Sequence, residues 1–200
     1  INLKINNVPV SVEPGTTILQ AAKSIGIKIP TLCYLKDINE IGACRVCVVE
    51  VKGARNLVAS CVYPVNEGME VFTNSERVLQ ARKTTIELLL SNHRKECLSC
   101  ERNTNCELQT LAYEYGCDAN KYAGAMCTEP QDSSTEYLIR DNTKCVLCRR
   151  CVAMCNKVQK IGVLGASERG FDTHIGCAFD MNLVNTPCIG CGQCVTVCPT

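Results

Sequence analysis

The 200-residue chain has no tryptophan, 3 phenylalanines and 6 tyrosines, so large aromatic rings can carry little of its core. It lacks any apolar run long enough for a membrane-spanning helix. Charge of one sign is lacking as well. Lys and Arg number 21 against 20 Asp and Glu, mixed along the chain and leaving a net charge of +1, which excludes the basic face that nucleic-acid binding needs. Residues 1–12 alternate as strand does, without the charged-then-apolar order of a secretory signal. What is abundant is cysteine, with 18 residues.

That much cysteine means disulfides in a secreted protein or metal ligands in a reducing compartment. Spacing favours metal. Cysteines stand at 44 and 47, at 97 and 100, at 145, 148, 151 and 155, and at 188, 191, 194 and 198. Neighbours two residues apart bring thiolates to one place, whereas a disulfide framework spreads its cysteines to close longer loops. Zinc also uses Cys-x2-Cys pairs, but it explains the second half badly. Residues 145–155 read Cys-x2-Cys-x2-Cys-x3-Cys, and 188–198 repeat that spacing and add Pro199. This is the run of bacterial two-cluster ferredoxins, in which the fourth cysteine of each copy ligates the other cluster. The expected sets are Cys145, Cys148, Cys151 and Cys198 on one 4Fe–4S cluster, and Cys188, Cys191, Cys194 and Cys155 on the other. The insert between the copies is expected to form a hairpin from strands at 161–166 and 173–176, turning near Gly170.

Residues 1–72 read as a small β-grasp domain. Leu3, Ile5, Val8, Val10 and Val12 suit two strands about a turn at Asn6–Asn7, and Pro14–Gly15 ends the second. Thr16 or Thr17 can cap a helix carrying Ile18, Leu19, Ala22 and Ile25, which Gly26 stops. Strands are expected at 48–51 and 57–59. Cys33, Cys44, Cys47 and Cys61 suit a 2Fe–2S site, with small Gly42 and Ala43 letting backbone N–H groups approach the sulfurs. The competing reading of this group is structural zinc. Next, Asn74 or Ser75 can cap a helix through Leu90 with Leu79, Ile86, Leu89 and Leu90 as its buried stripe. It leads to His93, Cys97, Cys100 and Cys106, then to a second helix whose face is Leu108, Leu111, Ala112 and Tyr115 and which Gly116 ends. Three cysteines with no fourth of their own make His93 the fourth 4Fe–4S ligand. An imidazole in place of a thiolate removes one negative charge and favours the reduced form. Cys117, Cys127 and Cys177 lie outside every group, and residues 118–136 read as loop.

The order of these sites resembles the amino-terminal electron-transfer region of iron-only (FeFe) hydrogenases along essentially the whole chain. Supporting stretches are Gly42-Ala-Cys-Arg-Val-Cys47, Cys106-Glu-Leu-Gln109 and Cys188-Ile-Gly-Cys-Gly-Gln-Cys194. The front half is also similar to the large subunit of NADH:quinone oxidoreductase and to some NAD-linked formate dehydrogenases. The double ferredoxin run leans toward hydrogenase, including multisubunit NAD(P)-coupled and electron-bifurcating types. The resemblance implies an α+β chain of three parts: a 2Fe–2S domain (1–72), a small helical His/Cys 4Fe–4S domain with a loop (73–137), and a two-cluster ferredoxin-like domain (138–200). It implies a cytoplasmic oxidoreductase subunit relaying electrons to a hydrogen-converting catalytic domain of the same chain. External partners would be ferredoxin or NAD(P)H-oxidising flavin and iron–sulfur subunits. Alternatives are the same relay in a molybdenum or tungsten formate dehydrogenase, a stand-alone carrier, and a zinc-stapled interaction module. The absence of an initial Met and the stop just after Cys198 suggest an excerpt of a longer subunit, with no substrate chemistry on any residue present. Bound clusters would take the formal charge from +1 to about −6. Arg45, Lys144, Arg149 and Arg150 are the candidate offsetting cations.

Overall fold

The computed structural model describes all of residues 1–200. The chain opens with a hairpin, β1 (Asn2–Ile5) and β2 (Val8–Ser11), in which Leu3 faces Val10 across the antiparallel ladder. Its turn is Asn6–Asn7, at φ 49° and 67°, the left-handed pair that a two-residue hairpin turn demands. Thr17 caps α1 (Ile18–Ser24) in a reciprocal box with Gln20, and Gly26 ends the helical region in the left-handed conformation. Strands β3 (Val48–Val51), β4 (Val58–Ala59) and β5 (Glu70–Phe72) complete a sheet of order β2-β1-β5-β3-β4, with β5 parallel to β1. Fifteen buried residues form its core, among them Ile18 and Ala22 of α1, Ile5 and Val71 of the sheet, and Cys47 and Cys61.

Ser75 caps α2 (Glu76–Ser91). Its buried stripe is Val78, Arg82, Ile86 and Leu90, spaced by four, while Leu79 is 44% exposed. The expected inward Leu79 is therefore corrected. Arg82 takes an inward position because partners await it: its guanidinium donates to the Val48 carbonyl at 2.8 Å and the Tyr115 hydroxyl at 3.2 Å. A 3₁₀ turn at Cys97–Ser99 leads to α3 (Glu107–Glu114), which buries Leu108 and Leu111 and ends at Gly116. Residues 118–136 contain no helix or ladder beyond an isolated bridge from Asp132 to Arg140. A second core joins the parts: Leu32 and Val46 from the front, Ile86 and Leu108 from the middle helices, and Val146 from the carboxy-terminal half.

In that half, α4 (Arg150–Ala153) runs on into a π-helical turn at Met154–Val158, and α5 is Gln193–Thr196. The loop before each helix holds left-handed residues at matching places, Leu147 and Arg149 in the first copy and Gly190 and Gly192 in the second. Outside glycine that conformation costs about 1 kcal/mol or more per residue. The insert forms the expected hairpin, β6 (Gly165–Ser167) with β7 (His174–Gly176). Its first strand is shorter than expected, because Val163 and Leu164 pack instead into a third small core with Leu138, Ile175 and Leu183.

His174 pins this hairpin. Its side chain is 8% exposed, with Nδ1 3.0 Å from the Asp172 carbonyl and Nε2 2.9 Å from the Asp180 carboxylate. Both partners are acceptors, so the ring binds best as imidazolium. The Asp172 carbonyl, then Asp180, holds its pKa above the ordinary 6.5. A raised folded pKa stabilises fully below the unfolded value and is lost as pH climbs through the folded one. Amide protection factors across β6 and β7, corrected for the base-catalysed intrinsic rate, should therefore fall as pH rises above 6.5. In His174→Gln the same amides should exchange with no such step.

Candidate iron–sulfur sites

All 18 cysteines are free thiols. Cys33, Cys47 and Cys61 are 1% exposed, and Cys44 is half-buried beside them. The sulfurs of Cys47 and Cys61 are 3.3 Å apart. Within each pair one thiol ionises ahead of the other. The Cys33 thiol lowers Cys44 to about 5, helped by the N–H groups of Val46, Leu32 and Cys33 against the effect of burial. Cys61 lowers Cys47 to about 7. Cys33 and Cys61 are pushed up in return. The Ala43 N–H points at Cys33, as its small side chain suggests, whereas Gly42 is required by packing, since a Cβ there would come within 3.0 Å of Val62. Arg45 is exposed and reaches only the Leu57 carbonyl, at 3.5 Å.

His93 is 8% exposed, and its Nδ1 is buried without any hydrogen-bond partner. Burial lowers its pKa, with Lys144 adding to the effect. Burial thus favours the neutral imidazole, the form that binds metal. Cys106 is the N-cap of α3: its sulfur accepts from the Gln109 N–H at 3.4 Å, and the Gln109 side chain holds the preceding turn through Thr104 and Asn103. Cys97 is exposed and Cys100 half-buried, and the charge of each reaches Cys106.

His93 and nine cysteines (100, 106, 145, 151, 155, 188, 191, 194 and 198) line one continuous cavity of about 460 Å³. Cys198 returns from the far end of the second copy and acts electrostatically on Cys145, Cys148 and Cys151. Burial pushes Cys145 up to about 12 and Cys148 up to about 11, and raises Cys151 further. Thiolates there need a compensating cation. Cys194 lies beside Cys188 and Cys191, and Cys155 faces the same cavity. No three His, Cys, Asp or Glu side chains converge at the spacing of a single bound ion. The cavity that His93 and the nine cysteines line has room for a multi-atom core; Cys97 and Cys148 lie outside its lining. The donor set, the unpartnered imidazole nitrogen and the cavity all fit iron–sulfur cores.

Of the candidate cations, Arg150 is buried: its side chain is 7% exposed and grips Glu107 with two bonds of 2.6 and 3.0 Å. Lys144 is one-third exposed, near Asp141 and His93, while Arg149 is exposed. Two contacts escaped the sequence reading. Arg102 donates to the Cys198 carbonyl at 2.9 Å, and the Glu107 N–H donates to the Pro199 carbonyl at 2.8 Å. Both fasten the His93 group to the ferredoxin runs; Arg102 has no sequence signal beyond proximity to a ligand, and Glu107 stands in the Cys106–Gln109 stretch. Glu107→Ala would strand the Arg150 guanidinium. Allowing for the half-exposed carboxylate, thermal or denaturant unfolding should show a loss of about 1–3 kcal/mol. Outside the groups, Cys177 is buried against Arg140, Cys117 packs near the Lys83 carbonyl, and the Cys127 N–H donates to Asn92.

Three family models match the chain: a 2Fe-2S iron-sulfur cluster binding domain over residues 1–76, the NADH-ubiquinone oxidoreductase-G iron-sulfur binding region over 82–121, and a 4Fe-4S dicluster domain over 144–200. The whole chain is 50% identical to part of the NADP-reducing hydrogenase subunit HndD of Solidesulfovibrio fructosivorans, spanning 35% of that protein. It is 34% identical to the G 2 subunit of NADH-quinone oxidoreductase from Rhizobium meliloti (strain 1021), spanning 23% of it. Among solved structures, it superposes with a TM-score of 0.91 and 29% identity on a chain of the NAD+-reducing [NiFe]-hydrogenase in the H2-reduced state, covering 84% of that chain. No helix is long and apolar enough to cross a membrane. The chain thus combines a 2Fe–2S domain, an oxidoreductase-G iron–sulfur region and a 4Fe–4S dicluster domain, and is related from end to end to part of the hydrogenase subunit HndD and to part of a G-type subunit of NADH-quinone oxidoreductase.

Proposed function

We propose that these residues form an electron relay holding one 2Fe–2S and three 4Fe–4S clusters. The relay serves the hydrogen-converting site of an FeFe hydrogenase of the NAD(P)-coupled, multisubunit kind. The 2Fe–2S ligands are Cys33, Cys44, Cys47 and Cys61. The 4Fe–4S sets are His93, Cys97, Cys100 and Cys106; Cys145, Cys148, Cys151 and Cys198; and Cys188, Cys191, Cys194 and Cys155. They fall in segments 1–72, 73–137 and 138–200. The observation that carries this reading is continuity. Cys44 lies within electrostatic reach of Cys148, and one cavity runs from His93 through both ferredoxin runs. Bound clusters would supply one-electron redox chemistry.

The protein's own residues do the rest. Cys44 and Cys47 are the most readily ionised thiols of the front group, which metal binding requires. The Gln109 N–H at Cys106 and the Leu147 N–H at Cys145, 3.3 Å away, donate to sulfur and so favour the reduced state. Arg150 is the buried cation nearest the Cys145 group. Redox partners are ferredoxin or flavin-bearing NAD(P)H-oxidising subunits, in a cytoplasmic setting that keeps thiols reduced. A second reading keeps the relay but attaches another catalytic centre, and the likeness to an [NiFe]-hydrogenase chain favours it. Iron and acid-labile sulfide analysis tests the relay, with about fourteen of each expected per chain. A few zincs without sulfide would overturn it. Hydrogen oxidation with an artificial acceptor by the full-length protein alone separates the two readings: turnover in nickel-free protein supports the first, and its absence from fully cluster-loaded protein supports the second.

A further inference from the structure

The front unit and the ferredoxin half meet at one buried polar side chain. Asn39 is 3% exposed, in a tight turn closed by paired main-chain bonds with Leu35 of 2.8 and 3.0 Å. Its Nδ2 donates to the Cys33 carbonyl at 2.7 Å and to the Cys148 carbonyl at 3.0 Å. Both acceptors are carbonyl oxygens, so only the NH2 end of the amide can face them. Cys33 and Cys148 are themselves 1% and 6% exposed, and they share an apolar core with Leu32, Val46 and Val146. Across the same seam the only other hydrogen bond between residues 1–72 and 138–200 is at the surface, from Lys157 to the Ile38 carbonyl at 2.8 Å.

A buried side-chain amide could simply satisfy two loop carbonyls. Here its two N–H bonds go to the backbones of a proposed ligand in each of two proposed sites, in a region closed to water. Electron transfer between centres weakens steeply with separation and is carried better by hydrogen bonds than by gaps. We propose that Asn39 is a positioning residue that couples the Cys33 group to the Cys148 group. It closes a continuous bonded path between them and fixes their separation. The step is one electron lost at one centre and gained at the other, with no bond made or broken and no proton moved. This inference rests on the relay reading.

The test uses the cluster-loaded full chain, with flash photoreduction followed by the absorbance change of electron redistribution between the 2Fe–2S and 4Fe–4S centres. Asn39→Leu should slow that redistribution roughly 10- to 100-fold, the usual range when a partner hydrogen-bonded to a metal ligand is removed. Iron content and the potentials of both centres, read by electron paramagnetic resonance titration, should stay at native values. Asn39→Ser, a milder change that keeps a hydroxyl donor, serves if the leucine variant fails to load, and should also slow the rate. Lys157→Ala removes the surface bond of the seam and should leave the rate unchanged. A native rate in a loaded Asn39 variant overturns the proposal, as does equal slowing in Lys157→Ala, which would make the seam a general dock. If the native chain holds no reducible clusters, the relay reading itself fails, and that outcome is distinct from both.

Discussion

Stripping iron from the loaded protein should unfold residues 140–200 while leaving much of residues 2–72 folded. The two regions are held by different means. The front sheet and α1 enclose fifteen buried residues, thirteen of them other than cysteine, and burying aliphatic side chains contributes about 1.5–3 kcal/mol each. The small core of the carboxy-terminal half has six buried residues, and much of what packs against it is cysteine: Cys145, Cys151, Cys155, Cys188 and Cys194. Its helices α4 and α5 are four residues each, too short to persist alone. Burial also disfavours ionising Cys145, Cys148 and Cys151, so iron held there as proposed would both tie these loops together and supply the charge their thiolates need. For small metal domains that linkage is worth on the order of 10 kcal/mol. Amide exchange of the apo chain checks it: protection should survive in β1, β3, β5 and α1 and vanish beyond residue 140. Native-like protection in both halves would count against cluster-driven folding.

His93→Cys should lower the potential of its cluster by on the order of 100 mV or more. A thiolate in place of the neutral imidazole adds one negative charge, and at a position 8% exposed little solvent screens it. Lys144, which acts electrostatically on His93, offsets part of the change. Redox titration followed by electron paramagnetic resonance measures it. An unchanged spectrum and potential would remove His93 from the ligand set. Replacement by alanine should instead lose that one cluster and lower the iron content, leaving the other signals in place.

Most of the local structure was legible because the decisive residues act on near neighbours. Asn6–Asn7 makes its turn with its own backbone, Thr17 and Ser75 cap the helices that follow them, and the face of α3 is a repeat within eight residues. The cysteine spacing was legible for the same reason, since a loop that wraps a cluster is a local object. What failed depended on distant partners. Leu79 looks like core until Val48 and Tyr115 supply acceptors that bring Arg82 inward instead. The strand beginning at 161 shortens because Val163 and Leu164 are drawn toward Leu138 and Leu183. Asn39 and Arg102 carry no motif, Glu107 stands in a quoted stretch without a role of its own, and the contacts of all three appear only once Cys148, Cys198 and Pro199 are brought beside them.

The paired left-handed residues of the two ferredoxin loops differ in what they cost the fold. Gly190 and Gly192 enter that conformation freely, whereas Leu147 and Arg149 must be forced into it. Their neighbours are held from inside and outside the loop: the Leu147 N–H donates to the Cys145 sulfur, Glu107 grips Arg150, and Asn39 holds the Cys148 carbonyl. The glycine loop therefore reaches its folded shape at little conformational cost, while its twin is steadied by the helical segment and the front sheet docked against it.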